Sequence, residues 1–518
     1  MLKISDYTAE FHDRDGDRRI YPLVSTSSNM ACRPTLYQVN IRVTLTALSK
    51  QIGRKARLDD ISDEILDDWA SKGFDWIWLL SIWQLGDAGV AISRSSSVWR
   101  EEFQKTLPDL VEEDIGGSGF AIQAFVVSRD LGGDPALARL RERMKAKGLK
   151  LMLDFVPNHI APDHAWVREH PEYFVQGTEK QLQSQPQNYR PVTTASSERV
   201  MAFGRDPYFP GWSDTLQLNY GNAELQTAMQ QELIRIATAC DGVRCDMAML
   251  ILPEIFHRTW GIAIEPFWPT AIRRVHELNP EFVFMAEVYW DLEWELQQQG
   301  FDFCYDKRLY DRLCDGHAGP VREHLRAGLD FQNRLARFLE NHDEPRVAHE
   351  FAFAKHRAAA LLTYLTPGLK LFHQGQLEGK HKRISPHLVR GPEEAIDPKI
   401  QSFYEKILSL VRLPVVKEGE WQLLHAKPNR VDNPSNENIL AMSWKHSDGS
   451  FFVVVVNMSE SQSQACVELE WDAPERTIVR FVDLLDDAVY EREAKQLFDK
   501  GLFVDLPEWG AHAMLCTG

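Results

Sequence analysis

Four short apolar runs of this chain end in carboxylate, amide or imidazole side chains. The polar ends are Asp154, Asn158 and His159 in the first run, Arg244 and Asp246 in the second, Glu287 in the third, and His342 and Asp343 in the fourth. In a parallel β/α barrel the carboxyl ends of the strands meet around one opening, so polar groups there are typical of catalytic residues. The four runs therefore predict a catalytic site in which carboxylates act as nucleophile or as general acid and base.

The second run, Gly242–Asp246, carries an arginine two residues before its aspartate. Side chains two positions apart point to the same side of a strand, so Arg244 and Asp246 are expected to face each other. A fixed cation keeps a neighbouring carboxylate ionised. Taken alone, this pattern more often marks a structural ion pair than a catalytic site. The three other strand ends with polar groups are what favours catalysis.

In this order, the four segments resemble the conserved regions of the α-amylase family, glycoside hydrolase family 13. The matching stretches read DFVPNH at 154–159, GVRCD at 242–246, a glutamate-containing segment at 282–290, and ENHD at 340–343. The resemblance extends roughly from Arg33 to Phe403. It implies a retaining hydrolase or transferase for α-glucosidic bonds, built on an eight-stranded barrel.

The resemblance also implies a role for each carboxyl group. Asp246 is the expected nucleophile, Glu287 the general acid/base, and Asp343 the residue that grips the sugar hydroxyls and stabilises the transition state. Retaining glycosidases hold two carboxyl groups about 5–5.5 Å apart, and neighbouring strands about 4.8 Å apart can supply that spacing. Glu287 must keep a proton near neutral pH, which requires an apolar or anionic setting.

Further side chains are expected to bind the sugar. They are Arg244, His159, His342, Phe120, Trp290, Asn158 and Met249. Phe120 stands where the family usually has a tyrosine under the sugar, and a phenylalanine keeps the apolar ring face but loses the hydroxyl. An ordinary core phenylalanine explains this position equally well. Trp290 either stacks on a sugar at the leaving-group side or packs within its loop.

A calcium ion is the one cofactor that the resemblance raises. Many family members use the asparagine equivalent to Asn158 as a calcium ligand, together with a histidine four positions after the nucleophile. Here that position is Leu250, preceded by Met249 instead of a frequent lysine. We therefore expect no cofactor and leave calcium as an open alternative whose usual site is in doubt. Met249 and Leu250 would offer apolar contacts where many amylases offer hydrogen bonds.

The elements that must position these residues follow a strand–helix rhythm. Predicted barrel strands include Leu36–Ile41, Phe74–Leu80, Phe301–Cys304 and Leu369–Phe372, and Asp134–Pro135 predicts the start of a helix that ends near Gly148. We predict a (β/α)8 TIM barrel over residues 33–159 and 216–412, with an inserted domain at 160–215. An N-terminal segment, 1–32, packs on the barrel, and residues 413–518 form a C-terminal antiparallel β-sandwich domain.

Composition narrows the class of protein. The 518 residues include 58 Lys and Arg against 75 Asp and Glu, a net charge of −17, which argues against nucleic-acid partners and an anionic membrane surface. The N-terminus lacks the apolar core of a signal peptide, and no apolar stretch is long enough to span a bilayer. The seven scattered cysteines fit a reducing compartment, so a cytoplasmic location is expected. Nothing in the sequence specifies an oligomeric state.

Three functions remain open at this point. The preferred function is an α-glucosidase or α-amylase type hydrolase that cleaves α-glucosidic bonds of maltooligosaccharides or related short α-glucans by double displacement. An α-glucan transglycosylase would use the same residues and differ only in its acceptor. A sugar-binding protein that has lost catalysis is the third, and the intact Asp246, Glu287, Asp343 and Arg244 argue against it.

Overall fold

The computed structural model describes residues 33–195, 197–470 and 477–517, together with the short paired strands Phe11–His12 and Arg18–Arg19. Apart from these two short strands, the predicted N-terminal segment 1–32 lies outside the described residues. Within the described part of the chain, no helix is both long and apolar enough to cross a membrane.

Eight parallel strands close into a barrel. They are β1 (Thr35–Asn40), β2 (Trp76–Leu80), β3 (Lys150–Phe155), β4 (Gly242–Cys245), β5 (Val283–Ala286), β6 (Phe303–Tyr305), β7 (Leu335–Arg337) and β8 (Leu369–His373). Each strand pairs with the next one along the chain, and β8 pairs with β1. Every residue of β2 is buried, as expected for a strand covered on both faces. The predicted eight-stranded barrel is confirmed.

Helices surround the barrel between its strands. They are Ile41–Ile52, Asp63–Ser71, Gly133–Ala146, Ala223–Ala239, Pro253–Trp260, Trp268–His276, Glu293–Gln298, Lys307–Asp315, Ala318–Leu325, Leu329–Gln332, Val347–Glu350, Phe353–Tyr364 and Pro398–Val411. Asn222 caps the helix that leads into β4, because its side chain accepts hydrogen bonds from the N–H groups of Glu224 and Leu225.

The connection from β2 to β3 carries extra structure. It contains strands Trp83–Leu85 and Ile122–Val127 and helices Asp87–Ser95 and Ser97–Thr106. Arg42 ties it to the loop after β8, since its guanidinium donates to the carbonyls of Gly116, Gly117 and Pro386. The two loops therefore form one wall beside the opening of the barrel.

Residues 160–215, predicted to be an inserted domain, hold two short helices, Ala165–Glu169 and Glu179–Ser184, and a hairpin of Tyr189–Thr193 with Glu198–Ala202. The segment is closed at its base, where His159–Ile160 pairs antiparallel with Leu216–Gln217. Its division from the barrel as a separate domain stays a prediction.

An antiparallel domain follows the short helix Pro414–Lys417. Its strands are β9 (Glu420–Leu424), β10 (Ala426–Lys427), β11 (Ile439–Lys445), β12 (Phe451–Asn457), β13 (Ser463–Val467), β14 (Ile478–Asp483), β15 (Val489–Glu493), β16 (Leu502–Leu506) and β17 (Ala511–Thr517), with a helix at Ala494–Lys500. Six strands form one sheet in the order β9-β11-β12-β17-β14-β15, and β10-β13-β16 form a second. Apolar side chains from both sheets make one cluster, which confirms the C-terminal β-sandwich.

Candidate active site

The two central carboxyl groups follow neighbouring strands. Asp246 comes directly after β4 and Glu287 directly after β5. The backbone extends the sheet to both, because Asp246 N–H donates to the carbonyl of Phe155 at 2.8 Å and Glu287 N–H donates to that of Cys245 at 3.0 Å. Both side chains are therefore held at the carboxyl end of the barrel by strand pairing.

Arg244 lies between these carboxyl groups and has no exposed surface. Its Nη1 donates to Asp246 Oδ1 at 2.6 Å, and its Nη2 lies 2.8 Å from Glu287 Oε2. The guanidinium carbon also lies 5.3 Å from the ring of Trp78 and 5.2 Å from that of Phe120. One fixed cation thus joins both carboxyl groups and is itself enclosed by aromatic rings.

Glu287 is held by three groups and is 3 % exposed. Oε2 accepts from Met247 N–H at 2.7 Å, and Oε1 accepts from the hydroxyl of Tyr289 at 2.9 Å. Burial raises the pKa of Glu287 to about 8, against the opposing effect of Arg244 and with help from the charges of Asp246 and Asp343. At neutral pH this carboxyl group therefore carries a proton, as a general acid must.

Asp343 is the most accessible of the three carboxylates, with 41 % of its side chain exposed. Asn341 shapes its turn, because Oδ1 accepts from the N–H groups of Asp343 and Glu344. Beside it, buried His342 receives a hydrogen bond from Gln38 on Nδ1 at 2.7 Å, which leaves its proton on Nε2. Burial holds the pKa of His342 well below its usual value, so the imidazole is neutral and serves as a hydrogen-bond donor.

Aromatic side chains line the opening on two sides. The Phe120 ring stacks on His342 with centroids 5.3 Å apart. On the other side, half-buried Trp290 meets the ring of Tyr208 edge-on at 5.0 Å. The buried ring of His159 lies 5.0 Å from that of Trp212. The structure thus brings Phe120, His342 and Arg244 together. Trp290 and His159 instead contact aromatic residues of the inserted segment, Tyr208 and Trp212 respectively.

Two residues expected to bind the sugar do not reach the surface of the opening. Met249 has no exposed area in the short helical turn Ala248–Ile251, and Asn158 is likewise fully buried. Their contact with a substrate stays a prediction. Asn158 instead packs its amide 3.3 Å from His159 Nδ1, so it positions a neighbour that is itself a candidate ligand of the sugar.

The side chains around Asn158 do not fit a calcium ion. Gln217 Nε2 donates to Asn158 Oδ1 at 2.9 Å and approaches the carbonyls of Asn158 and Leu218 at 3.0 and 3.1 Å. An amide nitrogen therefore occupies the space among three oxygens, and calcium requires oxygen ligands. Leu250 is buried and apolar at the position of the usual histidine. In the described part of the chain, no cluster of three His, Cys, Asp or Glu side chains could hold a metal.

Backbone strain marks the same end of the barrel. Ser81, Met247, Trp290 and Asp291 have φ values of 67°, 42°, 66° and 63°, and all four follow barrel strands. Left-handed backbone in non-glycine residues costs free energy and collects at functional sites. A β-carbon on Gly119 would overlap the hydroxyl of Ser81, so this glycine allows Phe120 to approach the strand end.

Sequence reasoning missed several side chains that complete the site. Trp78 donates to Asp154 Oδ1 at 3.2 Å, Gln38 orients His342, and Tyr289 contacts the candidate acid. Tyr305, at the end of β6, lies 3.4 Å from Arg244 Nε. All four belong to barrel strands or to the residues just after them. Their position near strand ends is the feature of the sequence that could have identified them as site residues.

Comparisons with known proteins relate the chain to one family. A family model described as the α-amylase catalytic domain matches residues 109–300. The chain is 24 % identical over 364 residues to α-amylase MalA of Haloarcula japonica, an alignment that covers 68 % of this chain and 49 % of that protein. It therefore spans about half the length of this curated relative.

Two further relatives extend the comparison. Over 123 residues, 23 % of this chain and 17 % of the other, the sequence is 30 % identical to an α-1,4-glucan:maltose-1-phosphate maltosyltransferase of Cereibacter sphaeroides. The crystal structure of the maltogenic α-amylase AmyB from Thermotoga neapolitana is 17 % identical, with a TM-score of 0.67 over 94 % of this chain and 99 % of that one. At this identity the structural likeness shows a shared fold.

Proposed function

This chain belongs to the α-amylase family, and we propose that it is a retaining glycoside hydrolase that cleaves α-glucosidic bonds of maltooligosaccharides or related short α-glucans. The observation that carries the proposal is the contact of one buried guanidinium, Arg244, with both Asp246 and Glu287. It supports a site in which both carboxyl groups lie together at the end of the barrel, and burial keeps the proton of Glu287 against the nearby cation, as double displacement requires.

In the first step, Asp246 attacks the anomeric carbon and forms a glycosyl ester, while the bond to the leaving oxygen breaks. Glu287 gives its proton to that oxygen. Its burial, which raises its pKa, keeps the proton available at neutral pH. Arg244 holds Asp246 in place during the attack, because its Nη1 donates to Asp246 Oδ1.

In the second step, Glu287 has become a carboxylate and takes a proton from water. The water oxygen bonds to the anomeric carbon, and the ester to Asp246 breaks. Asp343, the accessible carboxylate, and neutral His342 are placed to hold hydroxyl groups of the same sugar, and such bonds strengthen as the ring distorts. Phe120 offers an apolar ring face beside them.

The test is a product analysis with a matched pair of variants. Purified protein would be incubated with single maltooligosaccharides, sucrose and trehalose, beside Asp246→Asn and Asp241→Asn. Asp241 lies just before the same strand, at the opposite end of the barrel, where it pairs with Arg141. We expect shorter sugars from the wild type and from Asp241→Asn, and a loss of at least about 10³-fold for Asp246→Asn. A wild-type protein that leaves every sugar unchanged would contradict the proposed substrate class.

A transglycosylase is the second candidate, and the aromatic pair Tyr208–Trp290 is the observation that favours it. Tyr208 is 58 % exposed, and Trp290 follows Glu287 by three residues. Aromatic rings at this side can hold a second sugar, which then competes with water for the glycosyl ester. The partial likeness to a maltosyltransferase is in keeping with this. Products longer than the added substrate would assign transfer.

We also propose a cytoplasmic location and no resident cofactor. Cys240, Cys245 and Cys304 are buried free thiols, as is usual for proteins in a reducing compartment. A sugar-binding protein without catalysis is not favoured, because Asp246, Glu287 and Asp343 are all present. Sugar binding that is indifferent to Asp246→Asn, without turnover, would restore that alternative.

A further inference from the structure

The two oxygens of Glu287 have different surroundings. Oε2 accepts from Met247 N–H at 2.7 Å and faces Arg244 Nη2 at 2.8 Å, so its lone pairs are engaged by a donor and a cation. Among the residues that the structure describes, Oε1 has one hydrogen-bond partner, the Tyr289 hydroxyl at 2.9 Å. A proton on Oε2 would be repelled by the hydrogen of the Met247 N–H group and by the Arg244 cation. The proton of this acid therefore belongs on Oε1.

We propose that Tyr289 is a positioning residue for the general acid/base, which holds Glu287 Oε1 by donating a hydrogen bond and leaves the carboxyl proton free for the leaving oxygen. The inference rests on the proposed function and deepens it, because it assigns the reacting oxygen. The geometry fits this role, since Tyr289 stands two residues after Glu287 and its half-buried ring packs against the core.

The hydrogen bond from Tyr289 acts differently on the two protonation states. A donated hydrogen bond is stronger to a carboxylate than to a neutral carboxyl oxygen. In the first step the proton passes from Oε1 to the leaving oxygen, the glycosidic bond breaks, and the new carboxylate gains strength in its bond from Tyr289. In the second step water returns a proton to Oε1. Tyr289 keeps its own proton throughout and favours the charged form of Glu287.

Other charged groups face Glu287 and stay in place when Tyr289 is changed. Arg244 comes from β4, Asp246 follows that strand, and Asp343 lies in the loop after β7. Tyr305 at the end of β6 faces both Arg244 and Tyr289. Since none of these groups bonds to Oε1, removal of the Tyr289 hydroxyl isolates its effect on that oxygen.

The test compares substrates that need the acid with one that does not. In Tyr289→Phe, we expect turnover of maltooligosaccharides to fall about 10- to 100-fold. Turnover of α-maltosyl fluoride, whose fluoride departs with little help from a proton, should fall less than about threefold. The basic limb of the pH profile should move upward by about one pH unit, because the charged form of Glu287 has lost a donor. Tyr173→Phe, a buried tyrosine of the inserted segment, is the matched control and should change none of these.

A titration separates this inference from the proposed function. The carboxyl band of Glu287, identified by infrared difference against Glu287→Gln, should titrate at higher pH in Tyr289→Phe than in the wild type. This readout needs no substrate, so it holds even if the wild type cleaves neither sugar, an outcome that would defeat only the proposed function. Equal losses on both substrates, or an unmoved carboxyl titration in a variant with unchanged Tm, would overturn the positioning role.

Discussion

The guanidinium of Arg244 separates two carboxyl groups that need opposite charge states. It donates to Asp246, and it lies against the oxygen of Glu287 that also accepts from Met247 N–H. Glu287 still keeps a raised pKa, because its burial and the nearby Asp246 and Asp343 outweigh this one cation. A guanidinium group can contact both carboxyl groups at once, because its two terminal nitrogens point to different partners, whereas a lysine ammonium offers a single point charge.

Under the proposed mechanism, in which Glu287 is the general acid, the pH dependence of catalysis follows from the protonation of this residue. The acid must carry its proton in the free enzyme, and its pKa is raised to about 8 by burial. We expect kcat/KM to hold through neutral pH and to fall about tenfold per unit as pH rises above this value. The measurement is a kcat/KM profile from pH 5 to 10 on a maltooligosaccharide.

One neighbouring carboxyl group titrates in a similar range and provides the control. Burial raises the pKa of Asp154 to about 7, and Asp154 lies 3.7 Å from Arg244. In Asp154→Asn, the fall of kcat/KM on the basic side of the pH profile should persist near pH 8 if the titration of Glu287 causes this fall. If kcat/KM of the wild type already fell with rising pH near the ordinary pKa of a glutamate, about 4.3, Glu287 would not be the general acid with a raised pKa.

At the residue scale, the sequence predicted the polar groups at strand ends and the pairing of Arg244 with Asp246, but not the other partners. Asp246 and Glu287 could be anticipated, since consecutive parallel strands place their ends side by side. The contact of Tyr289 with Glu287 could not, because residue alternation gives the face of a side chain but not its rotamer after a strand ends. The complete burial of Met249 depends on a short helical turn that no periodicity announces.

At the scale of elements, Gln217 joins the inserted segment to the barrel. It lies on the strand Leu216–Gln217, which pairs with His159–Ile160, and its amide group satisfies oxygens of Asn158 and Leu218. A protein amide thus does here what a bound cation does elsewhere, which is to bring oxygens together without repulsion. The base of the segment is closed by the chain itself.

We therefore predict that stability does not depend on calcium but does depend on Gln217. Chelation with EDTA should leave Tm unchanged, and Gln217→Ala should cost about 1–3 kcal/mol by leaving buried oxygens unpaired. Gln176→Ala removes an exposed glutamine that donates to the carbonyl of Pro171 and accepts from Arg199, and it should stay within about 0.5 kcal/mol because no buried group loses its partner. The measurements are thermal unfolding with and without EDTA, which gives Tm, and urea unfolding of the variants, which gives the free energy of unfolding. A Tm that falls on chelation and returns with calcium would contradict the prediction.

Element boundaries show where local rules were overridden. Asp134 was predicted to begin a helix as its cap, but the helix begins at Gly133. The carboxylate of Asp134 accepts instead from Val127 N–H, in the preceding strand. Likewise, the predicted strand Phe301–Cys304 is Phe303–Tyr305, because pairing with both neighbours decides its length. The apolar runs of the sequence predict the eight barrel strands, whereas the first and last residues of individual helices and strands depend on tertiary contacts.

At the scale of the molecule, the central strands β11 and β12 of the large C-terminal sheet are buried on both faces. Along β11 and β12, Leu440, Met442, Phe452 and Val454 belong to the barrel's apolar cluster, whereas Ala441, Val453 and Val455 face the smaller sheet. Trp444 anchors the first face, since its Nε1 donates to the carbonyl of Leu365 at 2.8 Å after the helix Phe353–Tyr364. The two domains thus share one core.

This shared core predicts a common unfolding transition. Trp444→Ala should destabilise the protein by about 3–5 kcal/mol, because it removes a fully buried ring at the interface. Trp294→Ala, at a ring that is 37 % exposed, should cost much less. Calorimetry should show one transition that shifts as a whole. Two separate transitions, with only one displaced by Trp444→Ala, would mean that the domains unfold independently.

The closure of the barrel by β1 and β8 has a consequence for how the chain is made. The first strand pairs with residues 335 positions later, which at roughly 5–20 residues per second reach the ribosome exit some 20–70 s after it. During that time β1 offers an open edge of backbone donors and acceptors to any neighbouring strand. A nascent chain of this protein is therefore exposed to mispairing for most of its synthesis, and slow translation lengthens that period.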